Sequence, residues 1–238
     1  MYKNRKVTVI IPAAGSGRRM GGSVNKVYMD LLGKPVLLRT VEAFEGHDGV
    51  DEIIIAVRED ERDFCLENII RLFDHPKVSA VIGGGAERYN TVLNCLNIAD
   101  ENSIVLIHDG ARPLIDRETI TAVIEAVSDH GCCCAAVPVK DTIKEVKDGF
   151  AASTPDRSLL WAAQTPQGFI CGEIKALIKK SLKEGYFGTD EAGFAEKQGK
   201  KVFIVRSKYD NIKITTSEDM IIAEAILMKR KEEQCIQE

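Results

Sequence analysis

A glycine-rich turn after the first apolar run is the part of the chain best suited to chemistry. The run Val7–Ile11 leads into Pro12-Ala13-Ala14-Gly15-Ser16-Gly17-Arg18-Arg19. Glycines let backbone N–H groups approach a phosphate that a Cβ atom would keep away, and the arginines add positive charge. The turn is not a P-loop, because Ser23 stands where that motif needs lysine, and it lacks the third glycine of a dinucleotide fingerprint. It predicts a polyphosphate site of another kind, with a purely structural turn as the alternative.

A carboxylate stands at a second position where ligands bind. Asp109 follows the apolar run Ile104–Ile107, which places it at the carboxyl end of a predicted strand in an open α/β sheet. A carboxylate there can hold Mg²⁺, which keeps several waters and bridges to substrate phosphates. A turn or N-cap role before Pro113 stays open. Arg112 in the same turn either holds a phosphate or sugar oxygen or pairs with Asp109.

Further motifs give these residues a family context. Lys26 and Gly33-Lys34-Pro35 before a helical pattern complete a signature that resembles nucleotidyltransferases acting on phosphorylated sugars or polyols. Within that superfamily the chain most resembles the 2-C-methyl-D-erythritol 4-phosphate cytidylyltransferase family of the non-mevalonate isoprenoid pathway. Six more blocks follow in that family's order: Gly84–Val92, His108–Pro113, Val139–Lys144, Leu160–Gln167, Thr189–Ala192 and Asp210–Thr215.

The resemblance implies transfer of CMP from CTP to methylerythritol phosphate, with Mg²⁺ as cofactor and pyrophosphate as second product. This reaction brings two anions together, so its demands are in-line positioning and charge neutralisation. An ionised phosphate nucleophile needs no base, and His108 is therefore assigned to packing or support.

The resemblance also implies which residues form the site. The implied catalytic residues are Arg19, Lys26, Thr142, Arg157 and Lys213. The implied nucleotide-binding residues are Pro12, Ala13, Ala14, Gly15, Gly17, Gly84, Gly85, Ala86, Arg88, Thr91, Asp109 and Gly110. The implied substrate-binding residues are Arg112, Thr142, Arg157, Thr165, Thr189 and Lys213, and Asp109 is the implied metal ligand.

The chain departs from the family's pattern at four positions. Asn25 and Val27 flank Lys26, where the family usually has proline and glutamine. Ala86 replaces a common acidic residue, and Thr91 stands where serine is usual. Every charged group that the mechanism needs is present.

Short β-branched runs alternate with helical patterns, which is typical of a mostly parallel sheet covered on both faces. The apolar runs are 7–11, 53–57, 78–82, 104–107, 135–139 and 202–205. The helical patterns are 36–45, 60–73, 88–99, 117–129, 172–184, 190–198 and about 217–233. We predict an α/β class, and the resemblance implies a Rossmann-like, mixed, mostly parallel sheet in one domain over residues 1–238.

The stretch from about 140 to 161 breaks this rhythm. Its Thr/Ile/Val alternation, with Asp148-Gly149 and Thr154-Pro155, predicts a hairpin or arm. In the family this arm reaches across a homodimer, which would make the site composite, because Thr142 and Arg157 lie on or beside the arm.

The composition excludes several classes of protein and indicates a cellular compartment. The 238 residues carry 32 Lys+Arg against 36 Asp+Glu, a formal net charge of −4 that argues against a general nucleic-acid or anionic-membrane binder. The N-terminal apolar run is too short for a signal sequence or a membrane span. Seven cysteines without a C-x-x-C pair predict buried, reduced thiols and a cytoplasmic location.

Three alternatives stay open at this point. A ribitol 5-phosphate cytidylyltransferase resembles the chain over the same blocks, although the opening Ile11-Pro12-Ala13-Ala14-Gly15 favours the erythritol enzyme. A non-catalytic nucleotide-binding family member is disfavoured by the joint presence of Arg19, Lys26, Asp109 and Lys213. A nicotinamide oxidoreductase is disfavoured by the missing third glycine.

Overall fold

A computed structural model describes residues 1–15, 25–73 and 75–237 of the chain. The strands are β1 (Val7–Pro12), β2 (Asp30–Leu31), β3 (Lys34–Pro35), β4 (Glu52–Val57), β5 (Val78–Gly83), β6 (Ile104–Ile107), β7 (Cys132–Pro138), β8 (Glu145–Lys147), β9 (Phe150–Ser153), β10 (Trp161–Ile170) and β11 (Phe203–Arg206). The helices are α1 (Val36–Glu45), α2 (Arg62–Cys65), α3 (Arg71–Phe73), α4 (Arg88–Ile98), α5 (Arg117–His130), α6 (Cys171–Lys183), α7 (Glu191–Lys197) and α8 (Ser217–Gln237). A π-helical segment, Leu66–Ile70, joins α2 to α3.

Seven strands form the central sheet in the order β11-β7-β10-β6-β1-β4-β5. Neighbouring strands are parallel except at β10, which runs antiparallel to both β6 and β7. The inner strands β1 and β6 are apolar and almost completely buried, as expected for strands covered on both faces. The predicted mixed, mostly parallel sheet is confirmed.

Helices cover both faces of the sheet. On one face, α1 and α5 bury residues such as Leu37, Phe44 and Val123 against the strands. On the other face, α4, α6 and α7 bury residues such as Leu96 and Phe194. Each fully buried side chain of this size contributes roughly 1.5–3 kcal/mol through the hydrophobic effect. The two layers therefore hold the strand ends in fixed positions.

Strand β10 was not predicted, because its sequence mixes polar residues with proline and glycine. Its first three residues are exposed, and residues 164–169 are buried. The pairing with β7 shifts register between Ala163 and Gln167, and this irregularity accommodates Pro166. Gln167 is satisfied inside the protein, since its side chain donates to Asp190 Oδ2 at 2.7 Å and accepts from the Ala192 amide at 2.8 Å.

The predicted hairpin lies inside the 140–161 stretch. Strands β8 and β9 pair antiparallel, with Lys147 opposite Phe150. The two residues between them, Asp148 and Gly149, have φ values of 52° and 84°. Positive φ at both positions is the signature of a type I′ turn, which suits the twist of a two-stranded hairpin. Every residue of the two strands is exposed.

The cysteines agree with the predicted buried thiols. All seven lie among the described residues as free thiols, and Cys235 is the exposed one. Cys132, Cys133 and Cys134 are consecutive buried residues of β7. Burial raises the pKa values of Cys133 and Cys134 to about 12, so these thiols stay protonated at neutral pH.

Over the part of the chain that the structure describes, no helix is long and apolar enough to cross a membrane.

Candidate functional site

A cleft of about 420 Å³ opens beside the carboxyl ends of β1 and β6. This volume lies in the range of small-molecule sites, and the position is where open α/β sheets bind ligands. The cleft is lined by Pro12, Ala13, Ala14, Gly15, Lys26, Val27, Gly85, Ala86, Glu87, Arg88, Thr91, Asp109, Gly110, Ala111 and Lys213. The fold thus gathers residues from five separate sequence blocks that were predicted to form one site.

Asp109 lies at the centre of the charged side chains. Its carboxylate contacts Lys213 Nζ at 2.9 Å, Arg88 Nη2 at 3.3 Å and Arg112 Nε at 3.5 Å. Burial alone would raise the pKa of Asp109, but Arg88, Lys213 and Arg112 outweigh burial and hold that pKa well below its ordinary value. Among the described residues, Asp109 is therefore an anion in contact with three cations, which fits both the binding role and the pairing with Arg112 considered above.

Arg88, the first residue of α4, contacts a second carboxylate that the sequence did not single out. Its Nη1 atom lies 2.6 Å from both carboxylate oxygens of Glu191, whose side chain is fully buried. Burial raises the pKa of Glu191 above its ordinary value, and the Arg88 guanidinium opposes that rise. The helical spacing is the sequence signal for this position, because Glu191 shares one face of α7 with the buried residues Phe194 and Ala195.

His108 and Thr165 hold the backbone on which Asp109 stands. His108 Nε2 lies 3.0 Å from the Arg112 carbonyl oxygen, which can only accept, so Nε2 carries the proton. His108 Nδ1 then accepts from the Thr165 hydroxyl at 3.1 Å, and that hydroxyl accepts from the Asp109 amide at 3.1 Å. Burial lowers the pKa of His108 to about 4, so the ring is neutral at physiological pH. A hydrogen bond from the Thr165 hydroxyl to a substrate phosphate would require it to leave His108.

Lys213 is positioned by the buried residues on either side of it. The Asn211 side chain donates to Gln164 Oε1 at 3.1 Å and to the Thr165 carbonyl at 2.9 Å. The Ile214 amide donates to the Ala111 carbonyl at 2.8 Å. Met220 and Ala223 of α8 pack with Ile214 in a separate apolar cluster. These contacts fix the segment on both sides of Lys213 and leave its ammonium group at Asp109.

The Gly84-Gly85-Ala86 turn contributes Gly85 and Ala86 to the wall of the cleft. A Cβ atom on Gly84 would lie 2.3 Å from the Cβ of Ala14, so the two loops can approach this closely only with glycine there. The Gly85 amide donates to the Thr91 hydroxyl at 3.0 Å, and this hydroxyl donates to the Glu87 carbonyl at 3.2 Å. Thr91 thus shapes the turn with a hydroxyl, as serine would.

Asn25 gives the Lys26 turn a support that replaces the family's usual proline. Its side-chain oxygen accepts from the Val27 amide at 3.5 Å, and its amide group donates to Glu61 Oε2 at 3.0 Å. Val27 is buried in the main apolar core. Despite these departures from the family pattern, the turn that carries Lys26 is therefore anchored, and Lys26 lines the cleft.

The remaining predicted residues lie in three kinds of place. Arg112 and Thr165 lie behind the cleft, where they contact Asp109 or its backbone. Thr142, Arg157 and Thr189 are exposed and do not line the cleft. Arg19 and Gly17 lie outside the described residues. Sequence reasoning missed Glu191 and Asn211, which support the cleft from inside the protein.

A mostly parallel α/β sheet with lysines, a carboxylate and a glycine-lined cleft at its strand ends is the arrangement of a nucleotidyltransferase. The model of the 2-C-methyl-D-erythritol 4-phosphate cytidylyltransferase family matches residues 7–229. The chain belongs to this family, which confirms the family and the activity predicted from the sequence.

Individual relatives agree with the family match. The chain is 48% identical over 223 residues to the 2-C-methyl-D-erythritol 4-phosphate cytidylyltransferase of Syntrophotalea carbinolica, covering 93% of this chain and 96% of the relative. It is 46% identical over 233 residues to the enzyme of the same name from Alkaliphilus metalliredigens, covering 97% of each. The crystal structure of 4-diphosphocytidyl-2C-methyl-D-erythritol synthase from Anaerococcus prevotii is similar with a TM-score of 0.82 and 32% identity, covering 94% of this chain and 99% of that one.

Proposed function

We propose that the protein transfers CMP from CTP to 2-C-methyl-D-erythritol 4-phosphate within this cleft. A phosphate oxygen of the alcohol phosphate attacks the α-phosphorus of CTP and forms a new P–O bond. The bond from the α-phosphorus to the bridging oxygen breaks, and pyrophosphate leaves with the electron pair. The products are 4-diphosphocytidyl-2-C-methyl-D-erythritol and pyrophosphate. The observation that carries the proposal is the convergence of Lys26, Lys213 and Asp109 on one cleft at the strand ends.

Charge neutralisation is the main task of the chain's own residues in this reaction. Lys26 lines the cleft beside the glycine-rich segment and is assigned to the triphosphate. Lys213 lies 2.9 Å from Asp109 and is assigned to the phosphate of the acceptor. Arg19 remains the predicted partner of Lys26. Preorganised cations of this kind cost no reorganisation when charge develops in the transition state.

Magnesium is the cofactor that this donor set fits. Mg²⁺ is usually held by one or two carboxylates together with substrate phosphates and waters. Asp109 offers an ionised carboxylate in the cleft, and CTP would supply the phosphate oxygens. When bound, the ion would neutralise the phosphate charge next to Asp109. Among the described residues no group of three or more acidic, histidine or cysteine side chains forms a cage that could hold a metal without substrate.

The 140–161 arm is proposed to complete the site of a second copy of the chain. Thr142 and Arg157 are exposed, and neither lines the cleft of its own chain. The arm and its base also expose large apolar side chains: Ile143, Val146, Phe150, Leu159 and Trp161. Exposed apolar surface of this kind marks interaction sites. A homodimer would bury it and bring Arg157 to the acceptor end of the neighbouring cleft.

The buried free thiols fit the reducing cytoplasm, where we place the enzyme.

The test is pyrophosphate release by the purified protein with CTP and Mg²⁺. Methylerythritol phosphate and ribitol 5-phosphate are compared in parallel, and release with methylerythritol phosphate alone is expected. Lys26→Ala should lower kcat/KM by about 10²–10³-fold, as removal of a preorganised electrostatic donor does. Lys229→Ala on the exposed face of α8 is the matched control and should be unaffected. Release with ribitol 5-phosphate only would reassign the acceptor, and no release with CTP would overturn the proposal.

A further inference from the structure

Glu191 is a buried carboxylate that the reaction as described above does not use. It is the first residue of α7, and its side chain has no exposed surface. An isolated buried carboxylate is very unfavourable, so its position depends on Arg88, which reaches both of its oxygens at 2.6 Å. The helix start is itself fixed, because Asp190 accepts from the Gly193 amide and the Ala192 amide donates to Gln167. Glu191 therefore presents its carboxylate at a defined point behind the cleft.

Arg88 lies between two carboxylates and binds them unequally. Its Nη1 is 2.6 Å from Glu191, whereas its Nη2 is 3.3 Å from Asp109, which is long for a charge-assisted hydrogen bond. Asp109 also contacts Lys213 and Arg112. If Arg88 were released from Glu191, it could shorten its 3.3 Å contact with Asp109 to a full ion pair beside Lys213, and a metal ion would then have to displace it.

We propose that Glu191 is a positioning residue that draws Arg88 away from Asp109 and so keeps the Asp109 carboxylate able to accept Mg²⁺ with CTP. This inference rests on the proposed function, because it concerns the metal assigned to the same site. Glu191 acts through Arg88 and touches neither substrate. Glu191 contributes to the charge balance beside the cleft. Its negative charge offsets that of Arg88, one of the three described cations that contact Asp109.

The inference predicts a specific defect in the coupling between Mg²⁺ and CTP. In Glu191→Gln the neutral amide binds Arg88 weakly, and Arg88 closes on Asp109. Titration calorimetry measures CTP affinity with and without Mg²⁺, so the readout does not depend on turnover. The strengthening of CTP binding by Mg²⁺ should fall about tenfold or more, the equivalent of one hydrogen bond to a charged group. Glu196→Gln, an exposed position on the same helix, is the matched control and should keep wild-type behaviour.

A double variant separates this role from a structural one. In Arg88→Met with Glu191→Gln, both buried charges are removed together, and Asp109 keeps Lys213 and Arg112 as its cation partners among the described residues. The Mg²⁺ effect on CTP binding should then recover relative to Glu191→Gln alone. A purely structural role predicts no such recovery. Thermal unfolding of each variant identifies those that fold, and Glu191→Ala replaces Glu191→Gln if the latter does not, since it also removes the carboxylate that pairs with Arg88.

The outcomes distinguish the inference from the function on which it rests. A folded Glu191→Gln or Glu191→Ala variant with the wild-type Mg²⁺ effect on CTP binding would overturn the inference while leaving the cytidylyltransferase proposal intact. Loss of the effect without recovery in the double variant would also overturn it. A wild-type protein that binds CTP equally well with and without Mg²⁺ would overturn the magnesium site at Asp109, and the role of Glu191 with it.

Discussion

The cleft and the 140–161 arm differ in which kinds of side chain they bury and which they expose. In and directly behind the cleft, charged groups are buried, with Asp109 7% and Glu191 0% exposed. On the arm, apolar groups are exposed, with Val146 65% and Phe150 79% exposed. The buried charges compensate one another within the chain, whereas the apolar side chains of the arm stay exposed to solvent. The described charges of the cleft are thus balanced within one chain, whereas the exposed apolar surface of the arm is the feature on which the proposed dimer rests.

The largest effect is expected inside the cleft. Asp109→Asn removes the carboxylate that balances Lys213, Arg88 and Arg112, and it removes the proposed metal ligand. We expect kcat/KM to fall by about 10²–10³-fold or more, comparable to the loss of a preorganised electrostatic group. The measurement is pyrophosphate release over a range of Mg²⁺ concentrations. Asp129→Asn, on the exposed side of α5, is the control. Near-normal turnover of Asp109→Asn would remove Asp109 from the site.

A matched pair of phenylalanine substitutions sharpens the contrast in stability. Phe169 in β10 is 1% exposed, and Phe150 on the arm is 79% exposed. Phe169→Ala should lower the free energy of unfolding by about 3–5 kcal/mol, because it leaves a cavity in the core. Phe150→Ala should change that free energy by less than about 0.5 kcal/mol when the protein is too dilute to associate. Urea unfolding measures both, and equal losses would show that the arm is part of the core.

A smaller effect, but one specific to the arm, is expected from mixing two inactive variants. Lys26→Ala inactivates the cleft of its own chain, and Arg157→Ala inactivates the site that its arm completes. Random exchange would make half of the dimers hybrids with one intact site each, so about a quarter of wild-type activity should return. Pyrophosphate release after subunit exchange is the readout, and each variant mixed with itself is the control. If no activity returns although exchange is demonstrated, each site is self-contained.

The alternation of apolar runs predicted most of the fold. Strands such as Val7–Pro12 and Ile104–Ile107 are continuous hydrophobic stretches, and burial on both faces of a parallel sheet favours such stretches. The hairpin was predictable because Asp148-Gly149 is a strong local turn signal. β10 was not, because Gln164 and Gln167 are polar residues whose partners lie far along the chain. A strand of this composition becomes recognisable only when those partners are known.

The candidate site shows the same division between local and distant information. Asp109 was predicted because its position follows from the strand before it, and Lys26 and Lys213 because they lie in blocks that resemble the family. Glu191 was missed, since its role depends on Arg88, which is 103 residues away in sequence. Charge pairing across such a distance leaves no local pattern apart from one acidic residue on a buried helix face. The residues that support a site are therefore harder to read from a single sequence than those that line it.

Strand β10 connects the 140–161 arm to the region of the cleft. It runs from exposed Trp161 at the base of the arm to partly buried Ile170 and spans roughly 30 Å at the usual rise per residue. Its pairing with β7 shifts register between Ala163 and Gln167. Thr165, which bonds to the Asp109 amide, lies at that point. The base of the arm and the residue that holds the Asp109 amide therefore lie on one continuous strand, so the two contrasting regions share a single backbone segment.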